Sequence, residues 1–130
     1  MGKILKIILV FFFASSVSFA QSDLFSQIKE CFITGNATML STSFGNNVSC
    51  NIFGKENFYS RSQSAIIFKD FFSNYKPKDF EIRHQKNEQN GRIYLIGIYT
   101  AQGGEVFRVT IYAKQETETE IYIIQIKIEK

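Results

Sequence analysis

The sequence predicts an α+β domain in which three N-terminal helices pack on a strongly curved antiparallel sheet. Three observations predict it. Apolar residues recur at helical spacing in two stretches before Pro77, the only proline. Four long extended segments follow it, separated by explicit turn residues. The chain beyond its first twenty residues has the length of one domain with a core of its own.

The first twenty residues read as a secretory leader. Lys3 and Lys6 precede the apolar run Ile7 to Ala14, and Ser18-Phe19-Ala20 places small residues where a signal peptidase inspects the chain. The run is shorter than the ~20 apolar residues that span a bilayer. The expected organisation is therefore a signal peptide over 1–20, cut between Ala20 and Gln21, and a single domain over 21–130. That domain would work in the periplasm or be secreted, with no membrane span after cleavage.

The first helix is expected to start at a Ser22 or Asp23 cap and to turn Leu24, Ile28, Cys31 and Phe32 inward, with Gly35 stopping it. Asn36 caps a second, short helix carrying Leu40 and Phe44. Gly45-Asn46-Asn47 reads as a turn. Val48, Cys50 and Ile52 alternate with polar residues as a half-buried strand does, and Gly54-Lys55 reverses the chain into a short return strand at Asn57-Phe58-Tyr59. Ser60 and Gln63 form a capping box for a third helix through Ala65, Phe68, Phe71, Phe72 and Tyr75.

The remainder is read as strands over 79–88, 92–100, 105–114 and 120–129. Asn90-Gly91 marks the first turn, because both residues tolerate positive φ. Gly103-Gly104 and the polar segment Gln115 to Thr119 mark the others. Tight turns between consecutive strands make an antiparallel meander, and long strands of this kind twist.

The order helix–helix–hairpin–helix–meander resembles the nuclear-transport-factor-2-like superfamily, a cone-shaped, cystatin-like α+β fold. Local sequence carries the resemblance further. Gly35-Asn36-Ala37 with Leu40-Ser41 and Phe44, Tyr59-Ser60, and Lys69-Asp70-Phe71-Phe72 are similar to a small exported bacterial family of unknown function within that superfamily. So are Phe80 with His84-Gln85, Tyr94 with Ile96-Gly97, Phe107-Arg108-Val109, and Ile124-Gln125 with Ile128-Glu129-Lys130. The resemblance implies the cone fold, a cavity between concave sheet and helices, and export. It implies no activity, and it does not include Cys31 or Cys50.

Charge excludes some partners. Without Lys3 and Lys6 the chain has 13 Lys and Arg against 12 Asp and Glu, a net charge of +1. It has no basic cluster to draw nucleic acid. Cys31 and Cys50 either pair as one disulfide in an oxidising compartment or sit apart as buried thiols.

His84, the single histidine, alternates in phase with Phe80 and Ile82. It reads either as a satisfied core histidine or as a ligand-facing base in the cavity. Tyr59, Phe72 and Phe80 are placed with it as cavity or ligand-facing residues. No inward carboxylate, metal-ligand spacing, phosphate cradle or nucleophile elbow is recognisable, so no catalytic, cofactor-binding or metal residue is assigned. Arg108, mid-strand, is either a solvent-facing charge or a contact for an anion.

The expected function is an exported, non-catalytic binding or protein-interaction module whose hydrophobic cavity takes a small hydrophobic ligand, or which binds an envelope protein. The alternative is a small-molecule enzyme of the cone fold using His84. The meander also reads as apolar on both faces, with Tyr94, Ile96 and Ile98 opposing Ile93, Leu95 and Tyr99. That pattern predicts a homodimer through the outer sheet face.

Overall fold

The computed structural model describes residues 17–130, with side chains from Asp23 onward. Most of the leader expected over 1–20 lies outside the described residues. Among those described, the elements in chain order are α1 Val17–Thr34, α2 Ala37–Ser41, β1 Phe44–Ile52, β2 Lys55–Ser60, α3 Arg61–Asn74, β3 Pro77–Asn87, β4 Arg92–Ala101, β5 Val106–Gln115 and β6 Ile121–Glu129. A 3₁₀ turn, Gln89–Gly91, joins β3 to β4. No helix among these residues is long and apolar enough to cross a membrane.

α1 buries Leu24, Ile28, Cys31 and Phe32, the stripe its spacing predicts. It begins upstream of the expected cap: Ser22 and Asp23 lie inside the helix, because no Gly or Pro between Val17 and Asp23 interrupts it. At its other end Gly35 adopts φ +67°, and the Asn36 N–H donates to the Cys31 carbonyl at 2.9 Å. Asn36 caps α2, its Oδ1 accepting from the Met39 N–H at 3.0 Å.

Phe44 does not belong to that helix, and Gly45-Asn46-Asn47 is not a turn: all four residues lie in β1. Gly45 is small here because Tyr122 of β6 covers it; a Cβ would lie 2.9 Å from the Tyr122 ring. The capping box of α3 forms as read. The Gln63 N–H donates to Ser60 Oγ at 3.2 Å, and the Ser60 N–H donates to Gln63 Oε1 at 3.1 Å. Inward on α3 are Ser64, Phe68, Phe71 and Phe72, while Ala65 is only half-buried. Ser64 is tolerated inside because its hydroxyl donates to the Arg61 carbonyl at 2.6 Å.

The six strands form one sheet in the order β2-β1-β6-β5-β4-β3. It is not wholly antiparallel. β1 runs parallel to β6, pairing Cys50 with Ile126 and Ile52 with Ile128. These strands are distant in sequence and joined through α3 and the meander, so no tight turn dictates their direction. The β3–β4 turn does follow the sequence: Asn90 and Gly91 take φ +71° and +73°.

Bulges bend the sheet and reset its faces. In β3 the register shifts between Ile82, opposite Gly97, and His84, opposite Ile96, leaving Arg83 as the extra residue. In β6 it shifts between Ile123, opposite Ala113, and Gln125, opposite Tyr112, leaving Ile124 extra. Beyond the second bulge Ile126 and Ile128 point into the core, and Gln125, Lys127 and Glu129 point out. The last strand is thus not apolar on both faces. The outward apolar residues of the meander are mainly Tyr94, Ile96 and Ile98 of β4, all half-buried.

The concave face is filled. Phe32 of α1 stacks on Phe80 of β3, with ring centroids 4.6 Å apart, and Phe72 and Tyr99 meet Phe32 edge-on. Phe80 in turn lies over Gly97 of β4, where any Cβ would fall 2.2 Å from its ring. Each such buried ring contributes roughly 1.5–3 kcal/mol. Ordinary side chains have been spent on closing the centre of the cone.

Candidate functional site

With Phe32, Phe72, Phe80 and Tyr99 packed against one another, an open cleft lies to one side, between the β1–β2 hairpin and α3. It measures about 310 Å³, the small end of the range for metabolite-binding sites. Cys50 and Ile52 of β1 form its floor. The alternate residues Lys55, Asn57 and Tyr59 of β2 face Ile67, Asp70, Phe71 and Asn74 of α3 across it. Period two on the strand and spacings of three and four on the helix bring these two rows together.

Phe53, at the hairpin tip, closes the end near Tyr75. It takes φ +55°, a left-handed conformation unusual for an aromatic residue. Its N–H donates to the Ile128 carbonyl at 3.0 Å, and its ring lies 5.4 Å from Phe107 and 5.8 Å from Tyr75. The Asn51 side chain accepts the next N–H, from Gly54, at 3.1 Å. The ring contacts offset the roughly 1–3 kcal/mol that such a backbone costs.

The walls are apolar and aromatic, and the rim is polar. Lys55 makes no ion pair among the described residues, while Asp70 accepts a 3.4 Å hydrogen bond from Asn74 Nδ2. The arrangement suits a small molecule with an apolar body and a polar end. Burial pushes the Cys50 thiol up to about 11, so at neutral pH the floor carries a protonated, non-nucleophilic sulfur. Cys31 is also pushed up to about 11, by burial and secondarily by the neighbouring Glu30 carboxylate. Both are free thiols, and the disulfide weighed from the sequence is not formed.

The structure separates the four residues expected to share a cavity. Tyr59 lines the cleft. Phe72 and Phe80 are core residues, 5 % and 1 % exposed. His84 is exposed on the outer face of the sheet, because the bulge at Arg83 breaks its alternation with Phe80 and Ile82. Its ring meets Tyr94 edge-on at 5.9 Å. Among the described residues no carboxylate reaches the imidazole; Glu81, the acidic residue nearest in sequence, pairs with Arg83 at 3.3 Å. Arg108 is also exposed on that face, opposite Glu129, beside a shallow polar trough that includes Tyr94, Tyr112 and Lys127.

Sequence reading missed Phe53, Lys55, Ile67 and Asn74. The signal was there in part. The row Ile67-Asp70-Phe71-Asn74 is one helical face whose polar members mark an opening, but nothing local shows that the hairpin lies against it.

Residues 25–129 match a family model described as Domain of unknown function (DUF4783). Among solved structures, a DUF4783 family protein from Bacteroides uniformis is similar, at 26% identity. The match covers 81% of this chain and 94% of that one, with a TM-score of 0.74. One from Bacteroides ovatus is 24% identical over 81% of this chain and 93% of its own, also at a TM-score of 0.74. An NTF-2-like protein of unknown function from Silicibacter pomeroyi matches at 16% identity. It covers 85% of this chain and 92% of its own, with a TM-score of 0.61. No curated protein matches the chain.

Proposed function

The chain belongs to the DUF4783 family, a domain of unknown function on the nuclear-transport-factor-2-like fold, and from that premise we propose that it is an exported, non-catalytic binding module. Its ligand is a small molecule with an aliphatic or aromatic body, held in the cleft between the β1–β2 hairpin and α3. The observation that carries the reading is the cleft itself, a pre-formed apolar slot whose rim carries Lys55, without an ion pair among the described residues, and Asp70, hydrogen-bonded to Asn74. An acidic end on the ligand gives the Lys55 ammonium a partner. Export rests on the leader pattern at 1–20. The enzyme reading loses its support with His84, which is exposed and, among the described residues, has no carboxylate to orient it.

Fluorescence titration with anilinonaphthalene sulfonate, an apolar body with an acidic group, tests the binding reading. The folded protein should enhance the emission saturably. Ile67→Trp, which fills the slot, and Lys55→Glu, which reverses the rim charge, should each weaken binding at least about tenfold. Unchanged binding by both folded variants would refute the assignment. N-terminal sequencing of the protein recovered from the cell envelope tests export, with Gln21 expected as the first residue.

A further inference from the structure

The sheet has two edges, β2 and β3, and they are treated very differently. β3 opens on Pro77, has register shifts at both Lys78 and Arg83, and carries Asp79, Glu81, Arg83 and Lys86. These are the devices that stop an edge from pairing with another strand. β2 has no bulge and no proline, its two charges, Lys55 and Glu56, lie at the hairpin end, and near its centre stands Phe58, 77 % exposed, the most exposed large apolar side chain among the described residues. An edge without a bulge and with an exposed aromatic is a template for strand addition.

We infer that β2 pairs antiparallel with the β2 strand of a second copy of this chain, joining two six-stranded sheets into one. The sequence of the strand is self-complementary about a two-fold axis. Residues directly opposite in an antiparallel pair share a face, so the axis must pass through a residue. With the axis at Phe58, that ring meets its own counterpart, Asn57 faces the partner's Tyr59, and Glu56 faces the partner's Ser60. Over Glu56 to Ser60 no like charges oppose one another; Lys55 falls opposite the partner's Arg61, where the chain leaves the strand for α3. With the axis at Asn57 instead, Phe58 would face the partner's Glu56, an apolar ring against a carboxylate. Guarding of β3 closes the assembly at two copies, since a β2-to-β3 contact would propagate as a filament. Asn57 and Tyr59 belong to the cleft row of β2, so the partner's Tyr59 extends the cleft wall. One short strand on each side is a small contact, and the dimer is of the weak, concentration-dependent kind.

Sedimentation equilibrium from micromolar to near-millimolar protein tests this, together with oxidation of a Phe58→Cys variant. Opposite residues of an antiparallel pair are within disulfide reach, so Phe58→Cys should crosslink to a dimer. The unsubstituted protein should show a monomer–dimer equilibrium, and Phe58→Lys should weaken it at least about tenfold by setting two ammonium groups face to face. Ile96→Lys, on the outer face of β4, should leave it unchanged with the fold intact. A monomer at every concentration with no crosslink would overturn the inference. So would a dimer that survives Phe58→Lys and is lost with Ile96→Lys, which would place the contact on the sheet face.

Discussion

The Tyr99 hydroxyl donates to the main-chain carbonyl of Tyr75, and through that bond the middle of the sheet holds the C-terminal end of α3. Tyr99 is wholly buried, and its burial drives the phenol's pKa far above the ordinary tyrosine value, so the proton stays in place. The end of α3 carries Tyr75, a wall of the cleft. Tyr99→Phe keeps the ring contacts and leaves the carbonyl without its partner. It should lower stability by about 1–3 kcal/mol, read as a shifted urea midpoint at unchanged slope.

Gly97→Ala should be more damaging than its size suggests. The added methyl meets Phe80 at 2.2 Å, and Phe80 cannot retreat because Phe32 is stacked on its other side. A loss of about 1–3 kcal/mol is expected, by overpacking. Pairing it with Phe80→Leu should cost less than the sum of the two single changes, as thermal or urea unfolding of the four proteins in the cycle would show.

His84→Ala should leave both stability and cleft binding nearly unchanged, within about 0.5 kcal/mol, since the side chain is exposed and makes no hydrogen bond among the described residues. A larger loss in urea titration would mean that the imidazole is held by contacts the fold does not provide.

Stability should fall as pH rises through 9 to 11. Unfolding returns the Cys31 and Cys50 thiols from about 11 to the ordinary thiol value of 9.0. Between those values the unfolded chain has released protons that the folded chain still holds. The linkage therefore runs against the folded state by up to about 1.4 kcal/mol per pH unit for each thiol. Below pH 9 it vanishes. Cys31→Ala with Cys50→Ala should flatten the profile between pH 9 and 10, below the range in which the buried Tyr99 phenol adds a slope of the same sign, although the variant starts less stable. A protein whose cysteines were already joined would show no such slope in the unsubstituted form.

The parts of the fold legible in the sequence are those decided locally. The Ser60–Gln63 capping box, the Asn36 cap, the Asn90-Gly91 turn and the buried stripe of α1 each depend on residues within one turn of one another. What was not legible depends on partners distant in the chain. The bulges at Arg83 and Ile124 lie in the pairing of β3 with β4 and of β6 with β5, and each moves the residues beyond it to the other face. His84 is carried out of the cavity by the first bulge, and Ile126 and Ile128 are carried into the core by the second. The parallel pairing of β1 with β6 has no turn to announce it. The cleft joins two such distant pieces; of its lining the sequence marks Tyr59 as ligand-facing and Cys50 only as a thiol. Phe53 was hidden for another reason: an aromatic residue at positive φ contradicts turn statistics and is held by distant partners, the rings of Phe71, Tyr75 and Phe107 and the Ile128 carbonyl.

Amide-resolved NMR titration of the folded protein with anilinonaphthalene sulfonate tests the central claim most directly. The account predicts saturable shifts confined to residues 50–59 and 67–75, the two sides of the cleft. Shifts centred on His84, Tyr94 and Tyr112, or none anywhere at saturating probe, would contradict it.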